Sequence, residues 1–115
     1  MLGPTFSALT GLNNASKRLQ NSANNLANVQ TAGFKKGEVT SVQSKSGGIR
    51  VNSVAKVNTQ EGLFGSVRSG FHEGSNVYIA EEMVDQIVAK ATFKVNVNVI
   101  KVNDEMIGSL LDIKS

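Results

Sequence analysis

The chain has 115 residues, with no cysteine, no tryptophan, one tyrosine, five phenylalanines and one histidine, and a formal net charge of +3. That length suits one domain, and the missing cysteines exclude disulfides, thiolate metal sites and cysteine nucleophiles. Residues 1–60 hold seven Lys/Arg and one acid, Glu38, whereas residues 61–115 hold five Lys/Arg and eight acids, so a basic front half and an acidic back half can pair within a chain or between copies.

Gly3-Pro4 marks a helix start, with proline in the first turn where its missing N–H costs nothing. From there to about Val29, residues Leu2, Thr5, Leu9, Leu12, Ser16, Leu19, Ala23 and Leu26 recur in alternating steps of three and four, which is a heptad seam. Leu9, Leu12, Leu19 and Leu26 are therefore expected to pack against a partner helix, each leucine contributing about 1.5 to 3 kcal/mol when fully buried. The remaining faces carry Asn13, Asn14, Asn21, Asn24, Asn25 and Asn28 and no acid. Asparagine is a poor helix former because its amide competes for backbone groups, so this stripe predicts amide contacts to other chains, through Asn21, Asn25 and Asn28. Thr31-Ala32-Gly33 ends the helix, with Gly33 expected at the left-handed C′ position, and Phe34 to Gly37 leaves as a loop.

From Glu38 to Glu73 the texture turns to valine, serine and glycine. Val39 to Val42 reads as a short strand, and Ile49, Val51 and Ser53 alternate with Arg50, Asn52 and Val54 as a half-buried one, which Val54 to Asn58 extends. Leu63 to Arg68 is expected to pair back after the turn-prone Gln60-Glu61-Gly62. Ser44 to Gly48 and Gly70 to Ser75 are connecting loops by composition.

Apolar residues then recur at helical spacing from Asn76 to Ile113, through Ala80, Met83, Val84, Ile87, Val88, Ala91, Val95, Val99, Val102, Met106 and Leu110. No proline interrupts them. The spacing predicts one long helix, capped by Asn76 or Ser75, with Glu81 and Glu82 near its positive end. Val84, Ile87 and Val95 lie on this stripe, which needs a long partner. Asn76 and Asn96 are read with the other amides as assembly contacts. The chain thus divides into an N-terminal coiled-coil helix over 1–33, a loop and small β region over 34–75, and a C-terminal coiled-coil helix over 76–115. The fold class is mainly α, two long partner-seeking helices with a small β region between them.

Little here can do chemistry. His72 stands alone before Glu73, Glu81, Glu82 and Asp85 are explained by the helix dipole without a cation, and Gly47-Gly48-Ile49-Arg50 fits no phosphate-binding glycine pattern. No catalysis, metal or cofactor is expected. Nucleic-acid binding by the basic half is the alternative reading, but Lys17, Arg18, Lys35, Lys36, Lys45, Arg50 and Lys56 are scattered, and Phe34 is the one aromatic beside them that could stack a base. No apolar run reaches bilayer-spanning length, and Met1 to Gln20 lacks the basic lead and apolar block of a secretory signal, so neither membrane insertion nor a cleaved leader is expected.

Two segments carry a family likeness. Ser7-Ala8-Leu9 and then Asn21 to Lys35, reading Asn-Ser-Ala-Asn-Asn-Leu-Ala-Asn-Val-Gln-Thr-Ala-Gly-Phe-Lys, resemble the N-terminal signature of the bacterial flagellar rod and hook family. Ser75 to Val84, Ala91 to Asn96 and Asp104-Glu105-Met106 are similar to its C-terminal signature. Departures are Gln30 and Ala32, where the family has Asn and Pro in Asn-Thr-Pro-Gly-Phe, Tyr78 where it has Asp, and Phe93 where it has Tyr. The short length and the wording around Glu81-Glu82-Met83 are most like a proximal rod protein of the FlgC type, while Gly47 to Ser69 resembles the segment before the outer domains of distal rod and hook proteins. The resemblance implies a structural rod subunit that is not an enzyme, whose N- and C-terminal helices pack antiparallel as a coiled coil in a hollow torque-transmitting tube, with Val84, Ile87 and Val95 meeting the leucine seam of the first helix. It further implies export through the flagellar type III apparatus, assembly with copies of itself and other axial proteins, and a place in the periplasm-spanning basal body. Asn25, Asn28, Gly33, Phe34, Asn76 and Asn96 are the positions it marks for assembly.

Overall fold

The computed structural model describes residues 2–57 and 75–114. Along them run α1 (Leu2–Ala27), β1 (Gly37–Gln43), β2 (Ile49–Lys56) and α2 (Ile79–Lys114), a mainly α fold with one small antiparallel hairpin. The expected turn at Gln60 to Gly62, the strand from Leu63 to Arg68 and His72 lie outside the described residues.

The two helices lie antiparallel. Ser22 Oγ donates to Glu82 O at 2.9 Å, a Cβ on Gly11 would stand 2.6 Å from Asn96 Oδ1, and Asn103 Nδ2 donates to Thr5 Oγ1, so numbers fall along α1 as they rise along α2. With 26 and 36 residues the helices run about 39 and 54 Å at 1.5 Å per residue. The last turns of α2 therefore pass the beginning of α1.

What closes the seam is not leucine. Ala8, Ala15, Ser22 and Asn25 of α1 are buried with Gly11, against Glu82, Ala89 and Asn103 of α2, with Asn96 between. On α1 this is the expected heptad line displaced by one residue, a rotation of about 100°. On α2 the line is 82, 89, 96 and 103, at intervals of seven. Leu9, Leu19, Val84, Ile87 and Val95, expected in the seam, are instead 41–66% exposed, and Leu12 and Leu26 are only partly covered at its edge. The physical reason is size: alanine, glycine and serine let the helix axes approach more closely than leucine against valine would allow, and the amides between them are satisfied by hydrogen bonds. The bulky side chains turn outward.

α1 stops at Ala27 rather than about Val29, its last turn tightened as Asn28 N donates to both Asn24 O and Asn25 O at 3.2 Å and Val29 N to Leu26 O at 3.3 Å. Gly33, with φ 71°, is not the C′ residue of that helix. It sits six residues past the end, in a turn closed by Phe34 N donating to Thr31 O at 3.2 Å.

β1 contains the expected Val39 to Val42, and β2 is the strand read from Ile49 with the expected extension past Val54, ending at Lys56. Gly37 pairs with Lys56 and Gln43 with Ile49; Thr40 faces Ser53 but Ser41 faces Val51, leaving Asn52 as a bulge. Ser44 N donates to Gly48 O at 2.9 Å to close the tip, where Gly47 and Gly48 take φ of 93° and 81°, a region costly for residues with a Cβ. The hairpin lies along α1. Its open end rests by Asn21, whose Nδ2 donates to Gly37 O at 2.7 Å; Ser41 Oγ donates to Asn14 Oδ1 midway; and at the tip Ile49 N donates to Thr10 Oγ1 at 3.1 Å.

Candidate assembly interface

Where hairpin and helices meet, a buried polar tie fixes their relation. Asn25 offers its amide to Gly37 as another strand would, with Nδ2 donating to Gly37 O and Gly37 N donating to Oδ1, both at 2.9 Å. The same Nδ2 reaches Glu82 Oε1 at 3.1 Å. Asn76 does the like for the two chain segments flanking the hairpin: its Oδ1 accepts from Lys36 N at 2.6 Å and its Nδ2 donates to Val57 O at 2.7 Å. Its own N–H donates to Phe34 O at 3.3 Å. Asn25 and Asn76 are 1% and 0% exposed. Every such amide replaces a backbone partner that the two-stranded sheet lacks.

Asn25 and Asn76, expected to face other chains, thus spend their amides inside one. Nor does Asn76 cap α2, which begins at Ile79, with Glu82 N donating to Tyr78 O at 3.1 Å. Asn21 is tied to Gly37, and Asn96 donates to Thr92 O at 2.9 Å and lies over Gly11. Asn28 is committed locally, donating to Asn24 O at 2.8 Å. Gly33 is exposed and Phe34 half-buried in the turn after α1. Ser22, Glu82, Gly11, Ala15, Ala89 and Asn103 escaped the sequence reading as a group, although their small or polar character at heptad spacing was visible.

The surface left over is strongly apolar. On α2, Val88, Val95, Val99, Val102 and Met106 form a second line at steps of three, four and seven, each 39–60% exposed. Val95, Val99, Val102 and Met106 line a shallow trough with Pro4. On the opposite flank of the seam, Leu9, Leu12, Ser16 and Leu19 of α1 face Phe93 and Val97 of α2 across another trough, rimmed by Lys90 and Lys94. A helix apolar around most of its circumference is ordinarily buried, and apolar patches of this extent on one chain mark interaction surfaces.

The polar cleft beside the tie, lined by Arg18, Lys36, Glu81, Glu82 and Asp85 among others, contains both charge signs, with Lys36 Nζ and Glu81 Oε1 paired at 3.1 Å. Among the described residues no group of three His, Cys, Asp or Glu is placed to hold a metal ion, and no helix is long and apolar enough to cross a membrane.

With this geometry in hand, the likeness to known proteins can be placed. Residues 68–113 match the family described as flagellar basal body rod FlgEFG protein, C-terminal. The chain is 41% identical over 61 residues to the flagellar basal-body rod protein FlgG of Borreliella burgdorferi, covering 53% of this chain and 23% of that protein. It is 37% identical over 54 residues to FlgG of Bacillus subtilis, covering 47% and 20%. To the flagellar hook protein FlgE of Salmonella typhimurium it is 32% identical over 66 residues, covering 56% and 16%. In each of these the match spans less than a quarter of the relative. The chain is thus similar over residues 68–113 to the C-terminal family of flagellar rod and hook proteins, and the relatives it resembles are FlgG and FlgE rather than specifically the FlgC type that the wording around Glu81-Glu82-Met83 suggested.

Proposed function

We propose that this chain is a structural subunit of a flagellar rod, polymerising through its two helices into a torque-transmitting tube and performing no catalysis. One observation carries the reading: the helix pair is closed internally by small and amide side chains, while leucine, valine, methionine and phenylalanine of both helices stay exposed. Completing the burial of a half-exposed Leu or Val contributes about 1 kcal/mol, so a line of such residues on each flank favours association strongly. Partners are copies of itself and other axial proteins, delivered by the flagellar export apparatus. The test is assembly and swimming. Purified protein should form filaments or large oligomers above a threshold concentration, and cells carrying Leu19→Asp should lose motility. A chain that stays monomeric at high concentration, or full swimming with Leu19→Asp, would overturn the proposal.

A further inference from the structure

The middle of α2 is written in the pattern of a strand. Over residues 95–100 it reads Val-Asn-Val-Asn-Val-Ile, without charge, proline or glycine, bracketed by Lys94 and Lys101. Valine and asparagine are mediocre helix formers, and β-branched residues in strict alternation suit a strand. As a helix the run is divided: Val95 and Val99 line the trough with Pro4, whereas Val97 lines the one with Leu19 and Phe93. As a strand it would set Val95, Val97 and Val99 on one face and both asparagines on the other.

Little within the run holds the helical form. Of the residues between Ala89 and Asn103, all of them described, none is buried, and Val95, Val97 and Val99 are exposed. Thr92 Oγ1 donates to Val88 O and Asn96 Nδ2 to Thr92 O, both at 2.9 Å, so side chains here engage carbonyls that the backbone ladder also uses. The helix is kept by its neighbouring turns, anchored on α1 through buried Ala89 and through Asn103, which donates to Thr5 Oγ1.

We infer that residues 95–100 are a conformational switch: helical while α2 lies on α1, and a strand pairing with the same segment of a second copy once α2 comes away. The segment's own chemistry selects that occupant. Identical strands in register stack Asn96 on Asn96 and Asn98 on Asn98 as amide ladders, and their valine faces close a dry interface between sheets. Lys94 and Lys101 stand where charged flanks restrain such pairing in natural chains, which disfavours the strand form while the helix pair is shut. The switch is independent of the rod reading, which concerns the closed pair.

The test warms the full chain, at a series of concentrations, to the midpoint of its helix loss by circular dichroism. Thioflavin T fluorescence and the infrared band of intermolecular strands are followed there. Helix should give way to strand, at a rate that rises with concentration. Val97→Ala/Val99→Ala favours helix over strand at two positions and should slow strand growth about ten-fold or more at its own midpoint, whereas Val54→Ala in β2 should change it less than about two-fold. Helix that melts to coil without strand overturns the switch, and so does strand growth as fast in Val97→Ala/Val99→Ala as in the parent. Growth independent of concentration, or slowed as much by Val54→Ala, overturns it equally, since the pairing would then lie elsewhere in the chain.

Discussion

Asn25→Asp is the sharpest probe of the polar tie, because it changes one amide nitrogen to oxygen with almost no change of shape. The substitution removes the donations to Gly37 O at 2.9 Å and to Glu82 Oε1 at 3.1 Å, and keeps the bond that Gly37 N donates at 2.9 Å. Gly37 O retains Asn21 Nδ2 at 2.7 Å, so the main loss falls on Glu82, 3% exposed, whose carboxylate then faces a second carboxylate where a donor stood. An unsatisfied buried acceptor costs about 1 to 3 kcal/mol, and the like charge adds to it, giving roughly 3 kcal/mol or more out of the 5 to 15 kcal/mol typical of a domain. The introduced carboxyl is raised above its unfolded value by Glu82, so the folded state holds its proton to higher pH than the unfolded state does. Stability of the variant, relative to the parent, therefore falls as pH rises from the unfolded carboxyl range through the raised folded value, and recovers on acidification. Urea denaturation of the unassembled chain across pH 4 to 7, with Asn25→Ala for comparison, measures this. If Asn25 instead served other subunits, the isolated variant would unfold at the parent's midpoint at every pH and only assembly would suffer; that result would refute the reasoning.

Seam and surface should separate cleanly. Ala15→Leu forces bulk into a position 2% exposed and should destabilise the isolated chain by about 1 to 3 kcal/mol, whereas Leu19→Asp, at a position 41% exposed, should shift its thermal midpoint by less than about 1 kcal/mol equivalent and yet abolish assembly. Gly48→Ala puts a methyl group against Thr10 Oγ1 at φ 81° and should cost about 1 to 3 kcal/mol, seen as faster hydrogen exchange at Ser44 and Ile49. Lys36→Met removes the ion pair to Glu81, itself 53% exposed, and should change stability by less than about 1 kcal/mol, with little dependence on salt.

The helices were legible because period and length speak for themselves over segments this long, whereas their antiparallel pairing was what the family resemblance implied. The seam was misplaced by one residue for a physical reason. Periodicity finds the largest side chains, and in a lone globular domain those fill the core; here Leu9, Leu19 and Val95 face out, and the column beside them, Ala8, Gly11, Ala15 and Ser22, closes the pair. A Glu-Ala-Asn-Asn line at 82, 89, 96 and 103 does not read as an interface by hydropathy. The asparagines were rightly seen as out of place on a solvated helix, but a sequence does not say whether an amide binds its own chain or another. Only the approach of Gly37 and Lys36 to Asn25 and Asn76, across 12 and 40 residues, decides it. Both strands of the hairpin were legible, but not that they pair with each other across Ser44 to Gly48, which composition marked only as a loop.

Cysteine protection tests the central claim most directly. Val99→Cys and Ala89→Cys can each be labelled with a maleimide, once in dilute unassembled protein and once in the assembled form. Val99, 39% exposed against 1% for Ala89, should react quickly when dilute and at least ten-fold more slowly once assembled, while Ala89→Cys should be protected in both. Equal labelling of Val99→Cys in the two forms would contradict the account, since the apolar faces would then have no subunit covering them.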